Sequence, residues 1–66
     1  MKLNEIIREA RKARNVSLRE LERRTGIDNG LLSMIETGRV AEPSFRKVVK
    51  IARALRIGIG RLVKAE

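Results

Sequence analysis

Apolar residues recur three and four positions apart along the 66-residue chain, in short stretches separated by single turn-forming residues. That spacing returns a side chain to one face of a helix and does not suit a strand. Leu3, Ile7 and Ala10 predict a first helix over roughly residues 3–14, with Asn15 and Val16 as the turn after it. A second helix over roughly 18–24 points Leu18 and Leu21 inward and Arg19, Arg23 and Arg24 outward. Ser17-Leu18-Arg19-Glu20 reads as its capping box. The serine oxygen accepts from the Glu20 N–H, and the Glu20 carboxylate reaches back to the serine N–H. Gly26 ends this helix, because glycine takes the left-handed conformation at little cost.

Asp28 is placed to cap a third helix of about nine residues, closed by Gly38. Leu32 and Ile35 face its core side, and Leu31 sits at the edge of the stripe. Pro43-Ser44 starts a fourth helix, since proline pre-sets its backbone angle and serine is a favoured cap. Phe45 opens the apolar face that Val48, Ile51, Ala52 and Leu55 continue, while Arg46, Lys47, Lys50 and Arg53 lie outside. A short last helix over roughly 59–65 would contribute Leu62 and Val63, although Gly58 and Gly60 weaken its first turn. The predicted fold is all-α, a compact bundle of about four or five short helices forming one domain over residues 1–66.

Charge narrows the function. Sixteen Lys/Arg against eight Asp/Glu leave a net +8, and arginine outnumbers lysine. Such an excess concentrates polyanions, nucleic acid first among them. Phe45 is the only aromatic residue, so the base stacking used by single-strand and RNA readers has little to work with. Duplex DNA is the favoured partner. The chain has no histidine and no cysteine, which removes the commonest general base, disulfides and thiolate metal sites. Neither a P-loop nor a dinucleotide glycine pattern is present, so no enzyme activity, metal site, cofactor or small-molecule ligand is expected. The first residues carry no apolar signal-peptide core, and no apolar run approaches the roughly 20 residues of a membrane span. The expectation is a soluble cytoplasmic protein without a membrane partner.

Leu18–Gly26 leading into Ile27–Thr37 has the form of a helix-turn-helix, two short helices joined by a glycine-containing turn. Leu21, Ile27, Leu32 and Ile35 must meet in one small core to fix the angle between them. At that angle the second helix stands proud of the body and can enter a major groove.

The stretches "IIREARKARNVSLRELERRTGID", "LLSMIETGR" and "EPSFRKVVKIARAL" carry a resemblance that covers nearly the whole chain. In this order and spacing the sequence resembles the Cro/cI-type, or XRE, helix-turn-helix family of phage and bacterial repressors. The resemblance implies a structural ion pair between Arg11 and Glu36. It places base contacts on the start and outer face of the third helix, at Asn29, Gly30, Leu31, Ser33 and Met34. Asn29 is the best equipped of these, since an amide can pair bidentately with adenine, whereas Leu31 and Met34 offer apolar contact. Phosphate contacts are implied for Ser17, Arg19, Arg39, Ser44 and Arg46, with Arg14 a further candidate. The implied function is a transcriptional regulator, most like a repressor, that binds a palindromic operator as a homodimer. An antitoxin or protein–protein adaptor on the same fold is the alternative.

The sequence also departs from the family. Leu18 stands where a glutamine is common, and Glu22 where alanine is usual. Arg56 replaces the glycine that usually ends the fourth helix, and Gly58 and Gly60 replace a capping serine and an acidic residue.

Overall fold

A computed structural model describes residues 2–63 of the protein. Five helices follow one another: α1 (Leu3–Ala13), α2 (Leu18–Thr25), α3 (Asn29–Glu36), α4 (Phe45–Leu55) and α5 (Ile59–Val63). Their starts are set by side-chain oxygens that take otherwise unpaired N–H groups. Ser17 Oγ accepts from the Glu20 N–H at 3.0 Å, and Ser44 Oγ from the Lys47 N–H at 3.3 Å. Asp28 Oδ2 accepts from Gly30 and Leu31 at 2.9 and 3.3 Å, and the Glu5 carboxylate accepts from the Lys2 N–H at 2.9 Å. A cap of this kind is worth about 1 kcal/mol.

The helix ends share a second device. Asn15 (φ 54°), Gly26 (φ 76°), Gly38 (φ 83°) and Arg56 (φ 55°) are the left-handed residues that follow α1, α2, α3 and α4. After α1, the Asn15 N–H donates to Lys12 O at 3.0 Å and the Val16 N–H to Arg11 O at 3.1 Å. After α4, the Arg56 N–H donates to Arg53 O at 3.3 Å and the Ile57 N–H to Ala52 O at 2.9 Å. These crossed pairs are Schellman motifs, which turn the next apolar side chain back against the helix just ended. Val16 and Ile57 are buried as a result, and Ile27, which follows the left-handed Gly26, is buried with its N–H bonded to the Thr25 hydroxyl instead.

That core is one cluster. Ile7, Leu21, Leu32, Ile35, Ile51 and Leu55, drawn from the first four helices, are fully buried, and Leu62 of α5 closes it. Burying each such side chain contributes about 1.5–3 kcal/mol.

Several details correct the expectations. The Glu20 carboxylate does not return to the Ser17 N–H; it pairs with Arg23 and, at 3.0 Å, with Arg24. Two guanidinium groups one turn away are better partners for a carboxylate than one neutral N–H. Phe45 is 67% exposed and does not join the core. Helical side chains lean toward the N-terminus, so one at the first position reaches past the end of its own helix. Pro43 precedes the cap, and the first turn begins at Phe45 after Ser44. α3 runs for eight residues, with Thr37 as its C-cap and Gly38 after it. α5 buries Leu62 but leaves Val63 63% exposed, because the adjacent residue lies about 100° round the helix. Residues 64 and 65 of the expected last helix lie outside the described residues.

Candidate nucleic-acid interface

α2 and α3 are joined by Gly26, Ile27 and Asp28. The buried Thr25 hydroxyl fixes this turn by donating to Leu21 O at 2.8 Å and accepting from the Ile27 N–H at 3.1 Å. Leu21, Ile27, Leu32 and Ile35 then lock the interhelical angle from inside. The far end of α3 is tied to α1. Arg11 Nε donates to Glu36 Oε2 at 2.7 Å and Arg11 Nη2 to Glu36 Oε1 at 3.0 Å, with side chains 14% and 6% exposed. Arg11 Nη1 also donates to Val16 O at 2.8 Å, and Asn4 Nδ2 to Glu36 O at 3.2 Å. Both ends of α3 are therefore held, and its free face is set rigidly on the body.

That face carries the residues expected to meet bases. Gly30 and Met34 are exposed, Asn29 and Ser33 half-buried, and Leu31 packs partly against the core. Gly30 has a role of its own. A Cβ there would stand 2.8 Å from Asp28 Oδ2, so the missing side chain makes room for the carboxylate that caps α3.

The N-termini of the helices differ in kind. At α3 the first N–H groups are taken by carboxylates: Asn29 N–H by Glu22 Oε2 at 3.1 Å, Gly30 and Leu31 by Asp28. At α2 and α4 the serine caps satisfy only the third N–H, leaving those of Leu18, Arg19, Phe45 and Arg46 without a partner among the described residues. Such donors, with the positive end of a helix dipole, favour an anion. Each of the two open ends carries the same local order, serine, apolar residue, exposed arginine. Ser17, Arg19 and Asn29 line one cleft of about 600 Å³ with Glu20, Glu22 and Arg23. Ser44 and Arg46 at α4, and exposed Arg39 in the bend after α3, lie outside that cleft. Arg14 turns back onto its own helix, donating from Nη1 to Ala10 O at 3.2 Å.

A family profile described as Helix-turn-helix matches residues 7–62. The chain belongs to the Cro/cI-type, or XRE, helix-turn-helix family. It is thus a DNA-binding domain of the transcription-regulator type, and the family is a regulatory one rather than an enzymatic one. Among curated proteins none matches the chain.

Beyond the motif, Arg24, Lys50, Arg53 and Arg56 of this XRE domain gather around a second cleft where α2 and α4 end. Arg24 Nη1 donates to Ala54 O at 3.4 Å. Cations here compensate two converging helix C-termini. No helix of the described residues is long and apolar enough to cross a membrane, and among them no group of acidic side chains could hold a metal ion.

The sequence marks Glu22 as a departure from the family, facing α3 and expected to snorkel or to pair with a nearby arginine, but its partner is Asn29. Glu22 accepts from both the main-chain N–H and Nδ2 of Asn29, each at 3.1 Å. Its signal was available: Leu18, Leu21, Glu22 and Thr25 form the inward stripe of α2, so a carboxylate at position 22 requires a polar partner from α3.

Proposed function

We propose that the protein is a sequence-specific repressor that binds duplex DNA as a homodimer through α3. The observation that carries this reading is the shared cleft of Ser17, Arg19 and Asn29. It sets an open, arginine-flanked helix end beside the one side-chain amide at the start of α3. The first suits a phosphate and the second a base edge. Arg39, Ser44 and Arg46 extend the phosphate rim outside that cleft. Leu31, Ser33 and Met34 add one hydroxyl and apolar contact for a thymine methyl, while the space at Gly30 is taken by the Asp28 carboxylate. One such helix reads only about four to six base pairs, so useful specificity calls for two half-sites about 34 Å apart on a palindromic operator. Repression is then steric, the bound dimer occupying DNA that polymerase needs, and the site of action is the cytoplasm.

Selection of bound duplexes from a random pool tests this reading. A palindromic consensus with half-sites one turn apart supports it, and binding that ignores sequence refutes it. A protein–protein role such as an antitoxin draws support from Met34, which is 39% exposed on the face that would meet DNA. It predicts no duplex binding in a gel shift at any salt concentration.

A further inference from the structure

Asn29 is held twice by one carboxylate. Glu22 Oε2 accepts from its main-chain N–H and Glu22 Oε1 from its Nδ2, both at 3.1 Å. These are the hydrogen bonds that join α2 to α3 among the described residues. Glu22 and Asn29 are both half-buried, so the contact is partly shielded from water.

The chemistry of the contact sets which way the amide faces. An ionised carboxylate only accepts, and an amide offers two donor protons on one end and an acceptor on the other. Rotating the Asn29 amide by half a turn would set Oδ1 against a carboxylate oxygen, acceptor against acceptor. Glu22 therefore keeps Nδ2 toward α2 and uses one of its protons. The second proton and Oδ1 have no partner among the described residues. One donor beside one acceptor is the complement of adenine's N6 amino group and N7 in the major groove. It does not match guanine, which presents two acceptors there. The charge has a second effect. With Asp28 it occupies the N–H groups at the start of α3, which makes that end a poor place for a phosphate.

We propose that Glu22 is the positioning residue for base selection, clamping Asn29 so that its amide presents one donor and one acceptor to adenine. The proposal rests on the DNA-reading function above and names a determinant within it. Glu22 acts through Asn29 and does not itself touch the base.

The test compares wild type, Glu22→Ala, Glu22→Gln, Asn29→Ala and the double variant Glu22→Ala/Asn29→Ala. Each is put through duplex selection, followed by titration of matched duplexes that differ at one base pair. Circular dichroism confirms that each variant is helical. In wild type the Asn29-dependent position is adenine. Glu22→Ala lowers the preference for adenine there by about tenfold, the order of one bidentate pair, while preferences elsewhere in the half-site persist. Glu22→Gln keeps one acceptor and gives an intermediate loss. In the Asn29→Ala background, Glu22→Ala changes that base preference no further.

Three results overturn the proposal. A full adenine preference in Glu22→Ala refutes the clamp, as does a loss spread evenly over every duplex, the mark of a purely structural role. A base preference that Glu22→Ala still alters after Asn29→Ala means that Glu22 reads a base itself. Wild type that binds all duplexes equally is distinct from these, since it removes the DNA-reading function and the proposal with it.

Discussion

Arg11→Met should remove a large share of the protein's stability. The substitution keeps a long apolar side chain but removes both donors to Glu36, at 2.7 and 3.0 Å, and the donor to Val16 O at 2.8 Å. Glu36 stays behind as a carboxylate whose side chain is only 6% exposed. Breaking a buried pair by removing one partner costs about 3–5 kcal/mol. Arg11 is somewhat more open, at 14%, which places the expectation at the lower end, about 3 kcal/mol. A domain of this size has roughly 3–10 kcal/mol of total stability, so the loss removes a third of it or more. Urea unfolding followed by circular dichroism at 222 nm measures it directly. The double variant Arg11→Met/Glu36→Leu should recover most of the loss, because the uncompensated charge is then gone. A loss below about 1 kcal/mol in Arg11→Met, the range of exposed pairs, would refute the claim that this contact holds α3 to the body.

Arg56→Gly should raise stability by about 1 kcal/mol, since Arg56 holds φ 55° at the end of α4 and glycine adopts that conformation without a Cβ clash. Thermal melts read it, and an unchanged or lowered Tm argues against strain there. Leu62→Ala should cost about 2–4 kcal/mol and Val63→Ala under about 0.5, because only the first is buried; equal effects would mean α5 is not docked as described. Arg19→Gln and Arg46→Gln should each flatten log K against log salt by about 0.9 without changing the preferred sequence, and an unchanged slope in both removes them from the phosphate rim. Glu20 gives a pH signature. Its hydrogen bonds from Arg23 and Arg24 hold its carboxyl below the usual value of 4.5, so its contribution is present above that pH and fades as pH falls through the lowered value. The Tm deficit of Glu20→Gln should therefore be constant from pH 7 to 5 and shrink in more acid solution; a deficit that does not change down to pH 2 refutes the pairing.

Most of the fold is legible because caps and stripes are local. Ser17, Asp28 and Ser44 start helices where their side chains alone predict it, and Leu21, Leu32, Ile35, Ile51 and Leu55 fall on the expected inner faces. What the pattern leaves out are buried positions on which periodicity says nothing. Val16 and Ile57 lie outside the helices, and only the crossed hydrogen bonds at the helix ends turn them inward. A left-handed turn made by asparagine or arginine leaves a weaker mark than one made by glycine. Phe45 shows the opposite error. Its spacing from Val48 puts it on the stripe, but at the first position of α4 its side chain reaches past the helix and out of the core.

At the candidate interface, residue type predicts what a side chain can offer and not what already occupies it. Asn29 reads from sequence as a free amide, yet one of its donors is committed to Glu22 across the turn. Gly30 reads as an open stretch of backbone, yet it is the space that the Asp28 cap needs. These contacts divide the surface by charge. Carboxylates close the N-terminus of α3, while serines leave those of α2 and α4 open beside Arg19 and Arg46. A phosphate is therefore favoured at the starts of α2 and α4 and disfavoured at the start of α3. Under the proposed function, that distribution holds the duplex by its backbone at the starts of α2 and α4 and keeps the start of α3 for base edges. Affinity then follows the arginines and salt, whereas specificity follows a few short contacts at Asn29 that salt hardly screens.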